Sequence, residues 1–283
     1  MPRLGLRAHD FGRHPPEVLA EKLQAFGPAC VQLALAKAFP DAPDPEGIAG
    51  TGYPGRIRDI FEARGMAIAV LGCYINPVHP DRGELERQLA RFEAHLRFAG
   101  DFGCPIVGTE TGSLNPDSSY HPGTRDEATF DKFCASVERL VHAAEGCGTI
   151  VGIEPVADQH TISSIEKTRI LIERIDSPAL GIIFDPVNLI PVSGLRESQP
   201  EFFARAFEAF GRRIAVIHAK DFRMENGRKS GALAAGKGDF DYPSFFRLLR
   251  AQRPGIDVLL ENTSPLTAAA ALGHLAGIAA MTE

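Results

Sequence analysis

Four residues in this sequence share one setting. Glu154, Asp185, His218 and Glu261 each close a short apolar, β-branched run: 149–154, 180–185, 214–218 and 256–261. Such runs read as strands buried on both faces of a parallel sheet. An unpaired carboxylate at the tip of a buried strand costs several kcal/mol of desolvation, on the order of a broken ion pair, so something positive must face it. One such carboxylate is otherwise a helix cap or an ion-pair partner. Four ligand-type residues in series at corresponding positions favour a metal site. Three carboxylates with one imidazole suit a hard divalent ion, with Mn²⁺ preferred and Mg²⁺ or Co²⁺ as substitutes. Structural Zn²⁺ prefers thiolates.

The elements that must position these groups alternate along the whole chain. Strands are expected at 4–9, 30–35, 66–74, 105–110, 149–154, 180–185, 214–218 and 256–261. Helices are expected at 16–26, up to 64, and at 83–101, 125–145, 162–175, 199–210, 243–251 and 266–280. Leu85, Leu89, Phe92 and Leu96 form one apolar stripe, as an amphipathic helix requires. Ser163 and Ser164, with Glu166 behind them, supply a helix N-terminus. Strict alternation implies right-handed βαβ units, and eight of them in one domain, 1–283, predict an α/β fold: a (β/α)₈ TIM barrel. An open doubly wound sheet is the alternative. The connections into strands are brief, whereas those leaving strands, 39–55, 112–124, 186–198 and 221–242, are long and irregular. Long loops on one face mark the functional mouth, and the four candidate ligands lie on it.

Composition narrows the function. The chain has 283 residues, 44% of them hydrophobic, and a net charge of −6. It has no global basic field to recruit nucleic acid or an anionic membrane. No apolar run reaches the roughly 18–20 residues of a membrane span, and the N-terminus lacks a signal-peptide core. Cys30, Cys73, Cys104, Cys134 and Cys147 have no CxxC spacing and read as reduced thiols of a cytoplasmic protein.

The chain resembles the xylose-isomerase-like TIM-barrel family of sugar isomerases and epimerases, ketose 3-epimerases among them. Val151-Gly-Ile-Glu-Pro155, Ile183-Phe-Asp-Pro-Val-Asn-Leu189, Val216-Ile-His-Ala-Lys-Asp221, Gly236-Lys-Gly-Asp239 and Leu259-Leu-Glu-Asn262 carry the resemblance. It implies one divalent ion held by Glu154, Asp185, His218 and Glu261. It also implies that Glu154 and Glu261 act as the acid/base pair on a small sugar or sugar phosphate. Asn188 stands where the family commonly has histidine, three residues after the aspartate. Arg223 is the nearest match to an arginine that often follows the metal histidine. The family's three-metal endonuclease needs further ligands, which the segment between His218 and Gly236 does not supply.

A metal that chelates a carbonyl and the neighbouring hydroxyl acidifies the hydrogen between them and stabilises an enediolate. Proton return to the same carbon is epimerisation, return to the neighbouring carbon is isomerisation, and loss of a β-hydroxyl is dehydration. A lyase or dehydratase on a keto-sugar or cyclic polyol, and a non-catalytic sugar-binding barrel, are the competing readings; a homo-oligomer is compatible with all of them. Glu110, His160 and His79 are candidate substrate contacts, each with a bland alternative as an ion-paired or solvated loop residue. His9 is a ligand or a packed histidine. Lys220 and Asp221 read as an ion pair supporting the loop. Gly236 and Gly238 could cradle phosphate or simply loosen a loop.

Overall fold

A computed structural model describes residues 1–48 and 50–281. Its strands are β1 (Arg3–Arg7), β2 (Cys30–Leu33), β3 (Ala67–Gly72), β4 (Ile106–Glu110), β5 (Ile150–Glu154), β6 (Leu180–Phe184), β7 (Ile214–Ala219), β8 (Asp221–Glu225), β9 (Arg228–Leu233) and β10 (Asp257–Leu260). Its helices are α1 (Pro16–Gln24), α2 (Leu35–Ala38), α3 (Tyr53–Glu62), α4 (Arg82–Ala99), α5 (Glu127–Cys147), α6 (Ile165–Arg174), α7 (Pro186–Leu189), α8 (Gln199–Phe210), α9 (Tyr242–Gln252) and α10 (Ala268–Met281). Eight strands close a parallel barrel in the order β1-β10-β7-β6-β5-β4-β3-β2, and β8 and β9 form a separate hairpin. The expected TIM barrel is thus the observed fold.

Two cores hold it. The larger one packs the helices onto the outside of the barrel. The smaller one fills its inside with Cys30, Ala69, Val70, Ile106, Ile183, Val216 and Leu259. Glycine makes room there: a Cβ on Gly108 would lie 2.6 Å from Ile183 Cδ1. Side chains alternate across each strand, so Ile106-Gly108-Glu110 and Ile150-Gly152-Glu154 run up the inner wall from apolar floor to polar mouth.

Caps fix the helix starts. Asp81 accepts from Glu84 N at the head of α4, Ser164 from Lys167 N at α6, and Ser198 with Glu201 forms a capping box at α8. Two loop expectations need correction. The segment 221–242 contains the β8–β9 hairpin, which turns at Asn226 and Gly227, both with positive φ. The segment 39–55 contains a 3₁₀ turn at Pro45–Gly47, and α3 begins within it; Ala49 lies outside the described residues. All five cysteines are unpaired, and only Cys147 is exposed. Among the described residues no helix is long and apolar enough to cross a membrane.

Candidate metal centre

β5, β6, β7 and β10 are consecutive around the barrel, so their tips converge. Glu154, Asp185, His218 and Glu261 are all buried and offer ligand atoms that lie within 4.8 Å of one another. His218 Nδ1 is 3.3 Å from Glu154 Oε1 and 3.6 Å from Glu261 Oε1. Neither ring nitrogen of His218 has a hydrogen-bond partner, and nor does Asp185 Oδ2. Buried polar atoms left unpaired are rare and need an explanation. A divalent cation supplies one, and three carboxylates with an imidazole are a fitting donor set for it.

The surrounding residues tune the four. Lys220 Nζ lies 2.9 Å from Asp185 Oδ2, without hydrogen-bond alignment, and donates to Glu261 Oε2 at 2.8 Å. Arg7 Nη1 bonds Glu261 Oε1, and its Nε bonds Asp10 at 2.9 Å. Burial would raise the Glu261 carboxyl, but Lys220, His218 and Arg7 outweigh it and hold the group well below the usual carboxylate range. Asp185 is pushed up by burial, against the pull of Lys220. Burial would lower both His218 and Lys220, yet the facing carboxylates raise both. Asn188 donates from Nδ2 to Glu154 Oε1 at 2.7 Å, while its backbone N–H donates to Asp185 Oδ1 at 2.9 Å. It therefore orients two of the four ligands.

The remaining candidates divide. Glu110 pairs in register with Glu154. Burial, then the Glu154 and Glu261 charges, push its carboxyl up to about 7. His160 Nε2 is 3.7 Å from Glu110 Oε2, and His160 Nδ1 is buried without a partner. Burial lowers this imidazole to about 4. His79 is occupied locally: its Nδ1 accepts the Asp81 N–H at 3.2 Å, and its carbonyl accepts from Lys132. Arg223 is exposed on β8 and donates to the Lys237 carbonyl, so the structure does not bring it to the four ligands. Lys220 and Asp221 do not pair. Asp221 points away and accepts the backbone N–H groups of Phe222, Gly236 and Phe240. The Gly236 N–H that could have cradled phosphate is spent on this carboxylate. A Cβ on Gly238 would lie 2.0 Å from Phe222 O, so close approach explains that glycine.

Sequence reasoning missed Arg7 and Gln32, and gave Lys220 the wrong partner. Strand alternation could have found them: Gly5 and Arg7, Cys30 and Gln32, His218 and Lys220 are two apart, so each pair shares the inner face.

The chain belongs to the xylose isomerase-like TIM barrel family, whose model matches residues 20–278. The 3-oxo-isoapionate decarboxylase of Pectobacterium atrosepticum is 27% identical over 161 residues, 54% of this chain and 52% of that protein. The match thus spans about half the length of that relative. A xylose isomerase-like TIM barrel protein from Mycobacterium smegmatis in complex with magnesium is 19% identical, with 99% and 97% of the two chains covered and a TM-score of 0.72. D-psicose 3-epimerase from Clostridium cellulolyticum H10, solved with D-tagatose, is 12% identical, with 98% and 99% covered and a TM-score of 0.72. At these identities the two structures speak to the fold alone.

Proposed function

We propose that this protein is a divalent-metal-dependent isomerase or epimerase of a small sugar or sugar phosphate, working through an enediolate, with Mn²⁺ as the preferred ion. The observation that carries it is the buried convergence of Glu154, Asp185, His218 and Glu261. A bound ion would supply Lewis acidity to a carbonyl and its neighbouring hydroxyl. The chain's own residues would move the proton. Asn188 fixes Glu154 through Oε1, which leaves the second oxygen to take hydrogen from the carbon beside the carbonyl. Glu261 stands three strands away around the barrel and delivers from the other face. A protein named as a ketose 3-epimerase has this same fold, which is compatible with the reading. Glu110 and His160 line the same mouth as sugar hydroxyl contacts.

A second reading rests on one asymmetry. Both oxygens of Glu261 are held by cations, Arg7 and Lys220, which weakens it as a base. Lyase chemistry needs only one proton donor. In decarboxylation the bond from a carboxylate to the carbon beside a ketone breaks, its electron pair enters the enolate, CO₂ leaves, and Glu154 returns one proton. The curated relative named as a decarboxylase favours this alternative.

Glu154→Gln and Glu261→Gln decide between the two. With metal occupancy verified, epimerisation predicts that each loses turnover by about 10²–10⁴-fold, read as net inversion at the carbon beside the carbonyl, while the carboxylate left in one variant can still wash solvent deuterium in from its own face. Retained CO₂ release from a keto acid by Glu261→Gln would favour the lyase. Near wild-type rates in both variants would refute both readings.

A further inference from the structure

The β1–β3 side of the mouth carries polar groups that the four-ligand centre does not use. Gln32 is 1% exposed, and its Oε1 has no partner. Its Nε2 donates to Tyr74 Oη at 3.0 Å. The Lys37 ammonium sits 3.8 Å from the centre of that same Tyr74 ring. It makes no ion pair among the described residues. His9 stacks edge-on against Tyr74 at 6.1 Å, and its Nδ1 is likewise buried without a partner. Gln32 is in register with Arg7, so it faces the barrel interior beside the guanidinium that bonds Glu261. On their outer side Lys37 and Tyr74 border an empty cavity of about 440 Å³, which Cys73, Arg91 and His95 also line.

Charge counting gives this wall a purpose. Asp10, Glu154, Asp185 and Glu261 carry four negative charges; Arg7 and Lys220 return two, and a divalent ion would return two more. The inner cluster then closes near neutrality. Lys37, exposed, is the cation with no carboxylate at ion-pair distance among the described residues; Glu110, Asp10 and Glu261 act on it only from further off, and its ammonium lies over an aromatic face that holds it in place at little cost. Glu110, the remaining acid of the mouth, lies on the β4 side against His160. Gln32 Oε1 can accept from a hydroxyl, and His9 Nδ1 can pair with another. Buried polar atoms without partners are paired by ligand or water when a site fills.

We propose that His9, Gln32, Lys37 and Tyr74 form a subsite for an anionic terminus of the substrate. The substrate is then a sugar carrying a carboxylate or a phosphate at the end remote from the reacting carbonyl. This rests on the reading of the protein as an enzyme of small sugars and names the substrate class. The carboxylate and phosphate forms share one chemistry, recognition by an ammonium with hydrogen-bonding neighbours.

Calorimetric titration of the Mn²⁺-loaded full-length protein tests it without turnover. The probes are ribulose, its C5 carboxylate form ribuluronate, and ribulose 5-phosphate, against wild type, Lys37→Met and Lys37→Arg. Ribuluronate or ribulose 5-phosphate should bind wild type about tenfold more tightly than ribulose, the scale of one charge-assisted hydrogen bond. The tighter of the two identifies the anion. Lys37→Met should erase most of that preference, and Lys37→Arg should keep it. Equal affinity for neutral and anionic probes in wild type would overturn the proposal, and so would an undiminished preference in a Lys37→Met protein of native thermal stability. An anion preference without deuterium exchange or CO₂ release would leave the subsite standing while the proposed reaction fails. Exchange into ribulose with no anion preference would sink the subsite alone.

Discussion

Lys220→Met removes the ammonium that lies 2.9 Å from Asp185 and 2.8 Å from Glu261. At an effective dielectric of about 20, each contact carries roughly 6 kcal/mol of Coulomb attraction, and burial of the ammonium offsets several kcal/mol of it. What remains is the cost of leaving two buried carboxylates short of a cation, about 3–5 kcal/mol when one partner of a buried pair is deleted. That cost should fall on the metal-free protein. A divalent ion supplies the missing positive charge, so the metal-loaded variant should lose about 1 kcal/mol or less. Linkage then requires the variant to bind metal more tightly, by roughly 10²-fold for a difference near 3 kcal/mol. Urea denaturation in EDTA and in saturating Mn²⁺ gives both stabilities, and titration calorimetry closes the cycle. A loss below about 1 kcal/mol in EDTA, or weaker Mn²⁺ binding than wild type, would refute the view of Lys220 as the counter-charge of the centre.

Burial lowers the His95 imidazole to about 4. Its folded state sheds a proton that the unfolded chain keeps below pH 6.5, so stability is present above that pH and is lost as pH falls toward 4. The loss is about 2 kcal/mol between pH 7 and 5, measured by urea denaturation, and His95→Gln should flatten that slope by one proton. Asp221→Asn halves the acceptor capacity facing three backbone N–H groups. It should cost about 2–3 kcal/mol and speed amide exchange in β9; unchanged exchange there would show that the hairpin does not depend on this carboxylate. Loops 39–55 and 112–124 should gain exchange protection under saturating substrate, because they sit on the mouth face. Identical exchange with and without substrate would remove them from the binding cycle.

The barrel was legible because its signals are redundant. β6, Leu-Gly-Ile-Ile-Phe, is buried at every position, and a run apolar on both faces is what a parallel strand between helices requires. Ser164 marked a helix start through backbone chemistry that depends on no distant residue. Glu154, Asp185, His218 and Glu261 were legible for the same reason: each follows from its own strand. For Arg7 and Gln32, alternation gives the inner face but not the partners, which appear only when β1 closes against β10 with β2 beside it. The hairpin was missed although Asn226-Gly227 is a two-residue turn signal. Its strands, Asp-Phe-Arg-Met-Glu and Arg-Lys-Ser-Gly-Ala-Leu, lack the alternating apolar pattern that usually accompanies one. Arg223 was misplaced by the same omission, since it lies on the exposed half of β8.

One residue step past the end of β7 separates the chemistry of the centre from its scaffolding. His218 and Lys220 are two apart and face inward, where each meets Glu261. Asp221 follows at once and faces outward, where its two oxygens gather the backbone of Phe222, Gly236 and Phe240. Adjacent residues of extended chain cannot share a face, so the Lys-Asp pair separates into a counter-charge for the carboxylates and an anchor for the loop. The anchor matters because the hairpin it fixes carries Lys229. The Lys229 ammonium bonds the carbonyls of Val187 and Ile190, at the end of the short helix that Asp185 caps and Asn188 belongs to. Asn188 in turn holds Glu154. The hairpin thus bears, through α7, on the orientation of the glutamate proposed to move the proton, and the dense carboxylate cluster is held by Lys220 from within and by the Asp221-anchored hairpin from outside.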